Sequence, residues 1–490
     1  MDKSEITVRF REYFFNAYKA SNEQRATELR NEYFRQKLSY TGFSLLGTSL
    51  FDADLVSKAV TSLNRGKASD LDDLTAEHLH HCHPIIMSIL TKLFNLMMHY
   101  SYVPPGFCRS YTVPLPKVKD CRTKAMKCDD FRGIAISSVL SKVFEHCIID
   151  RFNGYLHSHD NQFGFKKNLS CSHAIYTVRN IVTRFTASGS TVNLCAIDLS
   201  KAFDKVNHHG LLLKLMKRHV PKNLIDLLDF WLNNNWSRVK WLDTFSDFLK
   251  IEFGVKQGSV LSPFLFAIYL DDLVDHGRNG VHSFAILYAD DILLLTSSVT
   301  ELQKMLTACE RELFLLDMAI NAKKSCCMRI GPRFDATCAN ITTASGSFLP
   351  WVNVMRYLGV YLTSSRTFKC SLDNAKRSFY RALNAIFGKI GRVASEEVVL
   401  QLVNSKCIPI LLYGTEACQL NKSDVGSLDF TVNRFLMRLF KSNNMCIIQE
   451  CVAFFNFKLP SSQLAIRSER FIAKYKTSAN YFCKCFSDHL

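Results

Sequence analysis

Two adjacent carboxylates, Asp290 and Asp291, stand inside ILYADDILLL (286–295), one of the most apolar stretches of the chain. Burying unpaired charge is costly, so the pair either reaches solvent at a tight turn or faces a cation. A third acid, Asp198, ends TVNLCAID (191–198), a run of small and apolar residues that reads as a buried strand. Alone, Asp198 has the bland reading of a strand-end turn or a helix cap. The Asp290 pair changes this, because it follows one apolar strand (FAILY) and precedes another (ILLLT). The simplest geometry is a hairpin with its acids at the turn, beside the strand ending in Asp198. Three carboxylates converging there repel one another unless divalent cations sit among them. Hard oxygen donors with positions left for water and phosphate suit Mg²⁺, with Mn²⁺ an acceptable substitute. Two such ions activate a hydroxyl and stabilise a leaving pyrophosphate in nucleotidyl transfer.

The elements that must hold these acids follow from the surrounding pattern. From Phe51 onward, helical text such as IIMSILTKLFNLMMHY alternates with short strand-like runs such as YTVPLPKVK, TVNLCAID and SFAILY, without strict βαβ repetition, which predicts an α+β class. Residues 1–50 read as a charged helical extension or linker rather than core. Strand signals stop near residue 365, where SLDNAKRSFYRALNAIFGKIGR begins a basic amphipathic region: Phe379, Leu383, Ile386, Phe387 and Ile390 recur at helical spacing. Between 366 and 408 there are eight Lys/Arg and three Asp/Glu, so part of this face suits phosphates. The expected organisation is 1–50, 51–365 and 366–490.

Lys and Arg outnumber Asp and Glu by 61 to 44, a formal charge of +17, which points to a polyanionic partner such as nucleic acid. The cysteines lie in apolar segments without the spacing of a disulfide scaffold, which fits a reduced intracellular compartment, cytoplasm and/or nucleus. No apolar run is long enough to span a bilayer, so no membrane partner is expected. HLHHCHP (78–84) is rich in histidine, but on a helix starting near Thr75 those side chains point around its circumference instead of converging. His208 and His209, just past the strand ending in Asp198, read as structural hydrogen-bonding residues.

An ordered series of motifs carries a family resemblance: GKASDLDDLTAEHL (66–79), VPLPKVK (113–119), DDFRGIAISSVLSKVFE (129–145), NQFGFKK (161–167), AIDLSKAFDKVNHHGLL (196–212), GVKQGSVLSPFLFAIYLDDL (254–273), YADD (288–291), INAKKS (320–325) and RYLGVYL (356–362). The series resembles the reverse transcriptases of non-LTR, LINE-type and jockey-like retrotransposons. The resemblance implies a right-hand polymerase: fingers, a palm of antiparallel sheet plus helices, and a helical thumb. It implies an RNA-directed DNA polymerase that extends a primer 3′-hydroxyl with dNTPs on an RNA template, at a DNA primer or target.

Residue by residue, the resemblance makes Asp198 and Asp290 the principal ligands of two Mg²⁺ ions, Asp291 the third carboxylate and the Leu199 carbonyl a backbone ligand. Lys324 matches a general acid for pyrophosphate departure. Lys117 and Arg132 match the residues that grip the triphosphate, Phe203 the bulky residue that excludes a 2′-hydroxyl, and Gln257 with Gly258 the segment under the nascent base pair. Phe163, Gly164 and Phe165 match a template-side contact, with plain core an open alternative for both phenylalanines. Tyr288 belongs with the template and primer, and Arg356, Tyr357 and Gly359 with the primer grip.

The chain departs from the family pattern in three places. The 50 residues ahead of the polymerase motifs are too few for an endonuclease domain. SDLDD follows GKA where the family has a Gly/Pro-rich turn. Only 15 residues separate Asp272 from Tyr288, so part of the palm edge is expected to be shortened. The competing reading is a catalytically inactive, decayed or co-opted copy that binds RNA or DNA. The sequence leaves the oligomeric state open.

Overall fold

A computed structural model describes residues 2–43, 45, 50–117, 126–273, 282–390 and 393–486. The chain forms two compact units, each assembled from separate stretches. One comprises Met1–His159, Leu199–Leu273 and Glu310–Ile320; the other comprises Asp160–Asp198, Val274–Cys309 and Asn321–Leu490.

The first unit is built on a five-stranded sheet. Strand β1 (Arg109–Pro116) pairs antiparallel with β2 (Phe131–Ser137) and parallel with β4 (Trp236–Trp241), which in turn pairs with β5 (Thr244–Phe245) and β6 (Leu249–Lys250). The expectation that residues 1–50 lie outside the core is corrected here. Helix Lys3–Ala17 buries Phe10 and Phe14, four residues apart on one face, and Phe10 stacks on Trp241 (5.4 Å) and meets Phe131 edge-on (5.0 Å). A second helix, Glu23–Ser39, buries Leu29 and Tyr33. A helix does start after Thr75, but it spans only Ala76–His80, so His81 and His83 lie beyond it rather than around its circumference. There His78 Nδ1 accepts from the Thr75 N–H (3.0 Å) and His80 Nε2 pairs with the Leu63 carbonyl (3.2 Å).

The second unit centres on a four-stranded antiparallel sheet in the order β7 (Ser283–Tyr288), β8 (Asp291–Thr296), β3 (Val192–Ile197), β9 (Cys326–Ile330). Strands β3, β7 and β8 read as near-continuous apolar runs because both faces are covered: Leu194, Ile286, Leu293, Leu295 and Met328 join the core with helix Cys171–Ala187 and with Phe471, Tyr475 and Phe482 from the C-terminal region. The small sheet β12 (Val354–Tyr357), β13 (Val360–Thr363), β14 (Lys369–Ser371) packs into the same core. Strand β14 extends strand structure a few residues beyond 365. Helices Asp373–Ile390, Glu396–Leu402 and Lys422–Leu439 form a separate apolar cluster around Phe379, Leu383, Val403 and Phe435, while Arg377, Arg381 and Lys389 stay exposed. Among the described residues, no helix is long and apolar enough to cross a membrane. The edge strand β7 is present; residues 274–281, on which the shortened-palm expectation also bears, lie outside the described residues.

Candidate active site

The second unit carries the acids. Strands β7 and β8 pair from Ser283↔Thr296 to Tyr288↔Asp291, leaving Ala289 and Asp290 as the turn. Strand β8 also pairs with β3, ending at Ile197↔Ile292, so the next register position sets Asp198 across from Asp291. The hairpin beside the strand ending in Asp198 is therefore as the sequence suggests. Asp198 Oδ2 is buried and has no hydrogen-bond partner. Lys324 Nζ stands 3.6 Å from it, an ion-pair distance rather than a hydrogen bond, on a side chain that is 67% exposed. The expected three-carboxylate convergence is looser than a finished metal cage: among the described residues, no three His, Cys, Asp or Glu side chains meet closely enough to hold an ion. Mutual repulsion keeps unneutralised carboxylates apart. The donor chemistry nevertheless fits a hard cation, because Asp198 Oδ2 is a buried anionic oxygen that accepts no hydrogen bond and meets Lys324 only at ion-pair distance.

The backbone around these acids is bonded on both sides. Asp198 donates its N–H to Ser325 Oγ (3.1 Å) and accepts from the Asn321 N–H (2.8 Å), so the NAKKS turn that presents Lys324 also brackets Asp198. On the hairpin, Ala289 holds a left-handed φ of +57°, an unusual conformation for a residue with a side chain. Gln162 reaches it: the Ala289 N–H donates to Gln162 Oε1 (2.8 Å), and Gln162 Nε2 donates to the Ala289 carbonyl (3.3 Å). Asn321, Ser325 and Gln162 are the residues that sequence reasoning missed, although all three lie inside motifs it had singled out.

NQFGF is thus attached to the acid-bearing hairpin. Phe163 is fully buried in the core of this unit, the alternative left open for it, and Gly164 is buried too. Phe165, at φ +61°, is half-buried. Tyr288 is half-buried, and burial raises its hydroxyl pKa well above the ordinary value. On the β12–β13 hairpin, Arg356 is exposed while Tyr357 points into the core, so of this pair Arg356 presents its side chain outward. Leu358 and Gly359 form the turn, both at positive φ, and Tyr413 donates its hydroxyl hydrogen to the Leu358 carbonyl (3.2 Å).

The first unit carries the nucleotide candidates. Lys117, at the end of β1, and Arg132, on β2, are exposed, and Arg132 pairs in register with Leu115 two residues before Lys117. Lys117 donates from Nζ to the Asp129 carbonyl and from its N–H to the Asp130 carbonyl (2.8 Å). Phe203 is half-buried and stacks flat on Phe266 (4.2 Å, 12°). Leu199 is buried and bridges Ile320.

The loop bearing Gln257 and Gly258 is tied at three points. The Gln257 carbonyl accepts from the Ala135 N–H (2.7 Å), Gln257 Nε2 donates to Asp204 Oδ1 (3.2 Å), and Glu145 Oε2 accepts from Ser259 Oγ (2.6 Å), the Val260 N–H (2.6 Å) and the Leu261 N–H (2.8 Å). Gly258 sits at φ +130° with the Ala135 carbonyl where a Cβ would go. His208 is buried, donates from Nε2 to the Gly254 carbonyl (2.8 Å), and is held neutral by burial, which pushes its pKa down to about 4; its role is structural, as expected.

The sheet thus offers acids from neighbouring strand ends. Residues 116–362, about half of the chain, match the family described as reverse transcriptase (RNA-dependent DNA polymerase), and the chain belongs to that family. It is 25% identical over 385 residues to the probable RNA-directed DNA polymerase from transposon BS of Drosophila melanogaster, covering 74% of this chain and 41% of that protein. It is 27% identical over 352 residues to the RNA-directed DNA polymerase from mobile element jockey of Drosophila funebris, covering 66% and 36%. The jockey-like resemblance is borne out. The chain spans well under half the length of these relatives. A solved apo telomerase from Candida tropicalis, truncated from its C-terminal domain, aligns at 16% identity over 58% of this chain and 60% of that one, with a TM-score of 0.39.

Proposed function

We propose that the protein is an RNA-directed DNA polymerase that extends a primer 3′-hydroxyl with dNTPs on an RNA template, as part of a LINE-type element. The observation that carries this reading is Asp198 Oδ2, a buried carboxylate oxygen that accepts no hydrogen bond, at a strand end set across from Asp291 and its neighbour Asp290. Asp198, Asp290 and Asp291, with the Leu199 carbonyl, would hold two Mg²⁺ ions. When bound, such ions activate the primer hydroxyl and offset charge at the leaving pyrophosphate.

The chain's own residues supply the rest. Lys117 and Arg132 are exposed cations at neighbouring strand positions, suited to charge-assisted contact with a triphosphate. Phe203, backed flat by Phe266, cannot yield easily to a 2′-hydroxyl, which favours deoxynucleotides by clash. Gln257 and Gly258 offer a glycine-thin surface to the nascent base pair. Lys324 is an exposed ammonium beside Asp198, placed to give a proton to departing pyrophosphate. Arg356 and Phe165 keep side-chain faces for primer and template.

The test is primer extension on a homopolymeric RNA template with Mg²⁺. The wild type is expected to incorporate dNTPs, and Asp290→Asn to lose at least about 10³-fold of that rate while binding RNA equally well. A wild type that binds RNA but incorporates nothing sinks the polymerase reading in favour of a nucleic-acid-binding protein.

A further inference from the structure

The segment Asn161–Gly164 runs alongside β7 and stops at the catalytic turn. The Leu287 N–H donates to the Asn161 carbonyl (2.9 Å), the Phe163 N–H donates to the Leu287 carbonyl (2.8 Å), and Asn161 Nδ2 donates to the Ala285 carbonyl (2.7 Å), so the segment is a short parallel splint on the edge strand. At its tip the Gln162 side chain, 1% exposed, takes both polar groups of the Ala289 residue, and its Oε1 also accepts from the Gly164 N–H (2.9 Å). Gly164 closes the contact: a Cβ there would lie 2.5 Å from the Ala289 nitrogen and 3.0 Å from Gln162 Oε1.

Ala289 immediately precedes Asp290, and its left-handed φ is a conformation that alanine adopts only when its surroundings impose it. Two hydrogen bonds from one amide side chain and the backbone of Gly164 are the constraints that act on it. The peptide so fixed sets the direction in which the Asp290 carboxylate leaves the turn. We infer that Gln162, seated against Gly164, is a positioning residue that locks the Ala289 peptide and thereby aims Asp290 at the reacting centre. This rests on the polymerase reading for what Asp290 does, but not for the clamp itself. It also assigns NQFGF a task distinct from template contact: the motif is a splint, with its amide directed at the turn.

The clamp is tested on the full chain with two readouts. Gln162→Met keeps the volume but offers no acceptor, so the Ala289 and Gly164 N–H groups lose their partner. Amide hydrogen exchange in a peptide covering 286–291 is expected to speed up at least about tenfold, with Val192–Ile197 unchanged. Gln162→Glu retains an oxygen acceptor for both N–H groups but loses the donor to the Ala289 carbonyl, and is expected to give exchange between those of the wild type and Gln162→Met. In primer extension, Gln162→Met is expected to lower kcat by about 10- to 10²-fold, while KM for dNTP and RNA affinity stay within about twofold.

Gly164→Ala pushes on the same peptide and on Gln162 Oε1 and is expected to give the same split, which keeps the test alive should Gln162→Met not fold. Unchanged exchange at 286–291 in both Gln162→Met and Gly164→Ala overturns the clamp. Faster exchange with unchanged kcat reduces Gln162 to a structural residue and overturns the positioning role. A wild type without polymerase activity defeats the polymerase reading alone, since the exchange result still decides the clamp.

Discussion

Asp204 is the residue where charge and burial are most openly in conflict. It accepts from Gln257 Nε2 at 3.2 Å, yet burial raises its carboxyl from an ordinary 3.8 to about 6, against the opposing pull of Gln257 and of Lys201, Lys205 and Lys117. A carboxyl whose pKa is raised in the folded state binds its proton more tightly folded than unfolded. Its contribution to stability is therefore complete below about pH 4 and is lost as pH rises through about 6. Asp204→Asn is accordingly expected to gain stability over the wild type as pH goes from 4 to 7, read as the difference between thermal midpoints; a difference that does not change with pH contradicts the assignment. Gly258 is constrained differently. At φ +130°, with the Ala135 carbonyl in the Cβ position, Gly258→Ala forces the loop to move. A cost of about 1–3 kcal/mol in urea unfolding is expected, together with a raised KM for dNTP. A neutral result on both counts would mean that the loop is slack there.

At the scale of elements, the C-terminal half of the loop 255–261 converges on a single carboxylate. Glu145, 3% exposed on helix Val139–Arg151, satisfies three donors with one oxygen, at the start of helix Ser262–Tyr269. Glu145→Ala strands all three and is expected to cost about 3–5 kcal/mol, whereas Glu145→Gln, which keeps one carbonyl oxygen, should cost about 1–2. Equal losses in denaturant would show that volume rather than the acceptor matters. Helix Lys3–Ala17 makes a parallel case: Phe10, wedged between Trp241 and Phe131, is worth about 3–5 kcal/mol on truncation to Ala if the helix is scaffold, and close to nothing if it is appendage.

That helix was hard to read because Phe10 and Phe14 sit in EITVRFREYFF, where surrounding charge hides an apolar stripe of two residues. Strands β3, β7 and β8 were legible for the opposite reason: apolar runs ending in acids are local signals that no other element imitates. Gln162, Asn321 and Ser325 act on backbone groups remote in sequence, Gln162 on a residue 127 positions away, and nothing in a local pattern encodes such a bond. β14, three residues long, is too short for periodicity to register.

For the whole molecule the governing quantity is a charge of +17 on a chain whose basic residues are not concentrated in one run. Phosphate contacts release condensed counterions, so affinity for a single-stranded RNA falls with salt at a slope of about 0.7 per phosphate engaged. Exposed Arg356, Arg377, Arg381 and Lys389 alone supply four cations to the second unit. Four to five phosphate contacts correspond to a loss of about 10²-fold between 50 and 200 mM salt. Filter binding across that range is expected to return this slope for the wild type and for Asp290→Asn alike, because the acid acts on chemistry while the cations act on the backbone. Charge reversal of Arg377 and Arg381 should flatten the slope by more than one phosphate's worth without altering the fold, since both point away from the cluster around Phe379 and Leu383. An unchanged slope in that double variant would move the nucleic-acid surface off this helix and onto another part of the basic surface.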